Sequence, residues 1–165
     1  VAAVRSATPP APAETTGAAP FTDGRLLFSH NGAVDDFALR VGPLLRRTLA
    51  PEIEGGIAGA TDSEVVFACI RQAMALGASL PDAVAQTTHA VLALAPARLN
   101  LLVAEPGRVV ATAMGDTLFT CTTATGTWLA SEPLDDDPAW SAVADGSLVT
   151  LAWSSDERTL SVEAL

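Results

Sequence analysis

The stretch Phe28-Ser29-His30-Asn31-Gly32-Ala33-Val34 decides how the rest of the chain is read, because it sets a carboxamide beside a glycine soon after an apolar run, Leu26-Leu27-Phe28. The apolar run predicts a short buried strand. Asn-Gly is the dipeptide that most readily leaves a strand by a turn with positive φ, so one reading of Asn31-Gly32 is a plain turn. The other reading is an oxyanion site, where a side-chain amide and a backbone N–H meet the same developing charge. Alternation along the strand sends His30 to the opposite side from Asn31, which predicts a packing role for the imidazole.

Downstream, residues 34–49 carry Phe37, Leu39, Val41, Leu44, Leu45 and Leu49 at mixed spacing, with Gly42-Pro43 in the middle. This predicts a broken helix. Residues 51–60 read as a glycine-rich loop, after which Thr61 or Asp62 caps a helix running to about residue 76. Val65, Val66, Cys69, Ile70, Ala73 and Met74 form its apolar face, which makes Cys69 a packed residue and not a reactive thiol. A second helix starts near Pro81 and turns Val84, Val91, Leu92 and Leu94 toward the first. His89 on that helix has no acid or thiol at ligand spacing and reads as a surface or packing residue.

From Arg98 the period becomes strand-like. A hairpin is expected around Glu105-Pro106-Gly107, then a meander through Leu118-Phe119-Thr120-Cys121-Thr122 and Thr127-Trp128-Leu129-Ala130-Ser131. A last hairpin follows around Ser154-Ser155-Asp156-Glu157. The acidic loop at 132–137 reads as a solvated turn, and its Asp135-Asp136-Asp137 run lacks the spacing of a calcium loop. Upstream, Val1-Ala2-Ala3-Val4 is strand-like, Arg5 stands at its end, and three prolines in Ser6-Ala7-Thr8-Pro9-Pro10-Ala11-Pro12 impose a loop to about residue 20. Amphipathic helices followed by antiparallel strands predict an α+β fold in one domain covering residues 1–165.

The 165 residues are 49% apolar, enough for one core. A formal charge of -10 repels phosphate backbones, and no basic stripe compensates, so nucleic acid is not an expected partner. Apolar runs stop well short of the ~20 residues that a membrane span takes, so no membrane partner is expected either. All 9 basic residues are arginine, a bias typical of GC-rich, actinobacterial-like coding. Cys69 and Cys121 lie in different elements, with no CxxC pair and no metal-spaced cluster, which fits a reducing cytoplasm and predicts no metal.

Three spaced motifs, Ala3-Val4-Arg5-Ser6-Ala7-Thr8, Phe28-Ser29-His30-Asn31-Gly32 and Gly59-Ala60-Thr61-Asp62-Ser63-Glu64-Val65, together resemble the glutaminase domain of the class II glutamine amidotransferases. Pro20-Phe21-Thr22-Asp23-Gly24-Arg25 and the acidic loop are similar to the branch that hydrolyses γ-glutamyl-hercynylcysteine S-oxide in ergothioneine biosynthesis. The resemblance implies the αββα four-layer sandwich of the N-terminal-nucleophile hydrolases, lacking its N-terminal strand or strands, and amide hydrolysis without a cofactor. By resemblance, Arg5 pairs with the substrate α-carboxylate, Asp62 accepts from its α-ammonium, and Thr8 helps orient the glutamyl group. Asn31 through its side chain and Gly32 through its N–H would form the oxyanion site.

In that family the nucleophile is a cysteine at the mature N-terminus, whose own α-amine accepts the proton. Val1 cannot serve, and neither Cys69 nor Cys121 has a free amine. The expectation is therefore that this chain is the C-terminal part of a longer domain whose N-terminal segment supplies the nucleophile. Two alternatives stay open: a glutaminase half that delivers ammonia to a synthase, and an inactive γ-glutamyl-binding module.

Overall fold

A computed structural model describes residues 19–155 and 157–165. Arg5, Thr8 and the strand expected at Val1-Ala2-Ala3-Val4 lie outside the described residues. The decisive element is β2 (Leu27–Val34), which pairs antiparallel with β3 (Ala97–Glu105) along its whole length, from Leu27↔Ala104 to Val34↔Ala97. The strand thus runs straight through Asn31-Gly32, and the plain-turn reading is overturned. Gly32 does take a positive φ, 149°, but so near full extension that the ladder continues instead of reversing. The chain leaves the strand at Asp36, whose φ of 52° is the left-handed conformation that a short polar side chain tolerates.

A π-helical segment at Phe37–Val41 then passes into α1 (Gly42–Arg46), the break expected at Gly42-Pro43. The loop expected at 51–60 begins as a short helix, α2 (Pro51–Glu54), because Pro51 at the first helical position leaves no donor unpaired. Next come α3 (Asp62–Ala75) and α4 (Leu80–Leu92), close to their expected limits, and they pack on each other. Their apolar faces meet the sheet. Phe28 and Phe67 stack with centroids 5.1 Å apart, and Phe28, Val65, Ile70, Val84, Leu99 and Leu101 are all fully buried, each contributing about 1.5–3 kcal/mol.

The remaining strands are β1 (Phe21–Thr22), β4 (Arg108–Ala113), β5 (Phe119–Thr122), β6 (Thr127–Ala130), β7 (Trp140–Ala142), β8 (Ser147–Trp153) and β9 (Arg158–Ala164). β1, β4, β8 and β9 join β2 and β3 in an antiparallel sheet of order β1-β2-β3-β4-β8-β9, and β6-β5-β7 form a second sheet. β1 and β7 were not expected, being too short to show a period. Strand alternation divides the core: Val110 and Leu148 join the helices, whereas Ala111, Ala113 and Val149 turn the other way and pack with Leu118, Leu129 and Val143. Helices on one face and a second sheet on the other give the α, β, β order of the expected sandwich within an α+β fold.

Candidate active site

The site is built where β2 meets the start of α3. Thr61 is the N-cap of α3: its Oγ1 accepts from the Glu64 N–H at 3.3 Å, while Glu64 Oε2 accepts from the Thr61 N–H at 3.3 Å and its hydroxyl at 2.9 Å. This reciprocal pairing satisfies two helix-end donors at once. Glu64 Oε1 also accepts from Gly59 N–H at 2.7 Å, so one carboxylate folds the preceding loop onto the helix. A Cβ on Gly59 would lie 2.3 Å from Glu64 Oε2, so a larger residue there would push this carboxylate from its place. The outer side of the same loop is held by Arg46, whose guanidinium donates to the Gly59 carbonyl and to Glu54, both at 3.0 Å.

With Thr61 as the cap, Asp62 is released from that role and stands as the first helical residue. Its Oδ1 accepts from the Ser63 N–H at 2.7 Å, and its Oδ2 reaches across to accept from the backbone N–H of Val34 at 3.1 Å. The helix N-terminus favours a carboxylate in this position. The Ser63 hydroxyl also lies 3.3 Å from Oδ1, while Oδ2 retains a further lone-pair direction, so one more donor can be taken up there.

The contact with Val34 fixes which edge of β2 faces Asp62. In an antiparallel strand, successive N–H groups alternate between the two edges. Asp35 N–H points to β3, where it donates to the Pro96 carbonyl at 3.1 Å, so Val34 N–H points to the opposite edge, and so does Gly32 N–H two residues earlier. β1 pairs with β2 only at Phe28 and Leu27, which leaves this edge without a strand neighbour beyond Phe28 among the described residues. The Gly32 N–H and the Asp62 carboxylate therefore share one strand edge, open among the described residues.

Asn31 lies on the face of the sheet away from the helices, exposed, and its carboxamide makes no hydrogen bond among the described residues. Across the ladder sits Asn100, which is buried: its Nδ2 donates to the carbonyls of Asp116 and Thr117 at 3.0 and 2.9 Å, and its Oδ1 accepts from Met114 N–H at 2.8 Å. Gly32 cannot carry a side chain, since a Cβ would stand 1.9 Å from the Arg98 carbonyl oxygen. His30, half-buried on the helix side as alternation predicts, places Nδ1 3.1 Å from Ser63 Oγ and Nε2 3.0 Å from the Arg98 carbonyl. The sequence reading does not single out Ser63 or Asn100; the pairing of Asn100 with Asn31 is seen only in the structure.

The two cysteines stay out of this arrangement. Burial pushes the Cys69 thiol up to about 12, and Cys121 is raised by desolvation and by the nearby Asp137 and Asp135 carboxylates, so neither is a thiolate at neutral pH. The acidic loop binds itself: Asp135 Oδ1 accepts from Trp140 Nε1 at 2.8 Å, and Asp137 Oδ1 from Ala139 N–H at 2.8 Å. Among the described residues no group of three or more His, Cys, Asp or Glu is placed to hold a metal. No helix among them is long and apolar enough to cross a membrane. His89 is exposed, as expected. A surface cleft lined by Asp23, Arg25, Ile53, Arg71 and Met74 includes none of the expected site residues; an open strand edge outranks it because donors and a carboxylate converge there.

No protein-family model matches the sequence. The chain is 43% identical over 152 residues to a gamma-glutamyl-hercynylcysteine sulfoxide hydrolase of Mycolicibacterium smegmatis, with 90% of this chain and 58% of the relative covered. A second hydrolase of the same name, from Mycobacterium tuberculosis strain H37Rv, is 42% identical over 150 residues, covering 90% of this chain and 57% of the relative. The chain thus spans less than three fifths of these relatives. Among solved structures, a glutamine aminotransferase class-II domain protein from Silicibacter pomeroyi superposes with a TM-score of 0.67 at 23% identity, covering 92% of this chain and 73% of the other. Glutamine phosphoribosylpyrophosphate amidotransferase from B. subtilis does so at 0.60 and 18%, covering 87% of this chain and 30% of the other. The chain has the fold of a class II glutamine amidotransferase-like N-terminal-nucleophile hydrolase, and over nine tenths of its length it is a homologue of the gamma-glutamyl-hercynylcysteine sulfoxide hydrolases.

Proposed function

We propose that this chain carries the substrate-recognition and oxyanion half of an amidohydrolase that cleaves the γ-glutamyl amide bond of γ-glutamyl-hercynylcysteine S-oxide, releasing glutamate and hercynylcysteine S-oxide. The observation that supports this best is the shared strand edge, where the Asp62 carboxylate accepts from Val34 N–H two residues beyond Gly32. A γ-glutamyl group carries an α-ammonium at one end and a carbonyl at the other. Asp62 would take the ammonium by a charge-assisted hydrogen bond, and the Asn31 carboxamide with Gly32 N–H would meet the oxyanion. Arg5 would pair with the α-carboxylate and Thr8 would help orient the chain between them.

The nucleophile in this reading is the thiol of an N-terminal cysteine outside these 165 residues. Its α-amine, with a pKa near ~8, accepts the thiol proton at neutral pH. Thiolate attack forms the C–S bond, the amine product leaves with the proton, and water then cleaves the thioester to free glutamate. Cys69 and Cys121 are both free thiols, which fits a cytoplasmic setting.

The test is to incubate the whole protein with γ-glutamyl-hercynylcysteine S-oxide and with L-glutamine, and to follow glutamate and ammonia by mass spectrometry. Many turnovers of glutamate from the sulfoxide, far outpacing glutamine, are expected. Turnover of glutamine alone would make the protein an ammonia-delivering glutaminase, and binding without turnover would make it a γ-glutamyl-binding module.

A further inference from the structure

We propose that His30 is a positioning residue that serves both arms of this site: one ring nitrogen holds β2 against β3 beside Gly32, and the other holds the Ser63 hydroxyl off the Asp62 carboxylate. The proposal rests on the reading that Asp62 receives a substrate ammonium. Three contacts carry it. His30 Nε2 lies 3.0 Å from the Arg98 carbonyl, Nδ1 lies 3.1 Å from Ser63 Oγ, and Ser63 Oγ lies 3.3 Å from Asp62 Oδ1. The ring also fills the space beside Gly32, where a Cβ would stand 2.9 Å from Nε2.

The proton positions follow from what each partner can do. A backbone carbonyl only accepts, so Nε2 carries a hydrogen. In the neutral ring Nδ1 is then a bare acceptor, and the Ser63 hydroxyl donates to it. A hydroxyl has one hydrogen, so while it serves His30 it is withdrawn from Asp62, which keeps only the Ser63 N–H at 2.7 Å on Oδ1. The carboxylate is left with acceptor positions open for an incoming ammonium. Were Nδ1 to carry a hydrogen, the Ser63 hydroxyl would turn onto Asp62 and compete with that ammonium. His30 thus fixes the number of donors the carboxylate can still receive.

The experiment uses the whole protein labelled with 15N. Long-range 1H–15N spectra, with His89→Gln to separate the two imidazoles, should show the neutral Nε2–H tautomer for His30. Hydrogen exchange at the Val34 amide should stay near the parent rate in Ser63→Ala, because Asp62 keeps its bond from the residue 63 N–H. In kinetics with the γ-glutamyl substrate, His30→Ala should raise KM by about 2–10-fold with kcat altered much less, because the freed Ser63 hydroxyl turns onto Asp62, and adding Ser63→Ala to that variant should recover part of the loss. The proposal is overturned by the Nδ1–H tautomer, or by a His30→Ala/Ser63→Ala protein whose KM is no lower than that of His30→Ala. A whole protein that turns over no γ-glutamyl amide would sink the functional reading instead, and the tautomer would still decide on His30.

Discussion

Replacing Gly32 by alanine tests the placement of β2 directly, because two separable costs meet at that residue. The first is conformational: φ is 149°, a region that L side chains rarely enter, and holding a residue there costs about 1–3 kcal/mol. The second is steric. The added Cβ would stand 1.9 Å from the Arg98 carbonyl oxygen and 2.6 Å from its carbon, both backbone atoms of the neighbouring strand that cannot rotate away. Overpacking of this kind typically costs a further ~1–3 kcal/mol. The sum, about 2–6 kcal/mol, corresponds to a fall in Tm of roughly 4–24 °C for a domain of this size. Gly24 supplies the control, since its φ is 90° but its Cβ would meet nothing within 4 Å, so Gly24→Ala should incur the conformational cost alone. The assay is thermal and urea unfolding of the two variants beside the parent. Equal losses for Gly24→Ala and Gly32→Ala would refute the reasoning, because β3 would then not press on Gly32.

Under the proposed function, Asn31→Ala in the whole protein should lower kcat by about 10²–10³ with little change in KM, because an oxyanion donor acts on the tetrahedral intermediate more than on the planar amide. Asn31→Asp, which puts negative charge where negative charge develops, should be at least as damaging; steady-state kinetics check both. Asp62→Asn should raise KM at least about tenfold through loss of a charge-assisted bond worth ~1.5–3 kcal/mol, and kinetics unchanged beside a lowered Tm would leave Asp62 a structural residue. Burial alone would raise the Asp23 carboxyl, but the Leu26 and Arg25 amides and the Arg71 guanidinium outweigh it and hold the group below its usual 3.8. Its contribution to stability is therefore complete above that value and lost as pH falls through the depressed one, so Asp23→Asn should flatten the acid limb of a Tm–pH curve below about pH 4.

Periodicity was a sound guide wherever an element was long enough to repeat. α3 and α4 fall within a residue or two of their expected limits, and the β3–β4 and β8–β9 hairpins lie where turn residues put them. β1 and β7, with two and three residues, have no period to read, and α2 was hidden because glycines follow it closely. The turn reading of Asn31-Gly32 fails for a different reason. Asn-Gly favours a turn in isolation, but β3 offers a partner for each of the eight residues of β2, and tertiary pairing overrode the local preference. Asp62 was ambiguous for a local reason, since Thr61 and Asp62 are both good caps; only the reciprocal bond between Thr61 and Glu64 decides between them, and it could have been seen in the spacing of the two. Ser63 was out of reach, because its role comes from an imidazole 33 positions earlier in the chain.

That Asn31-Gly32 sits in a strand rather than at the tip of a turn changes how such a site can work. A turn presents donors on a segment with few supporting contacts, whereas a strand residue is held by its ladder, its neighbours two positions away and the helix packed beneath. Donors fixed in this way need no reorganisation as charge develops, which is the condition for electrostatic stabilisation to be large. The cost, among the described residues, is a strand edge without a partner beyond Phe28, where exposed N–H groups would invite another strand. Asp62 answers it in part. By accepting from Val34 N–H, its carboxylate and the first turn of α3 occupy the end of that edge, so the group proposed to bind the substrate ammonium also blocks strand addition beside the proposed oxyanion donors.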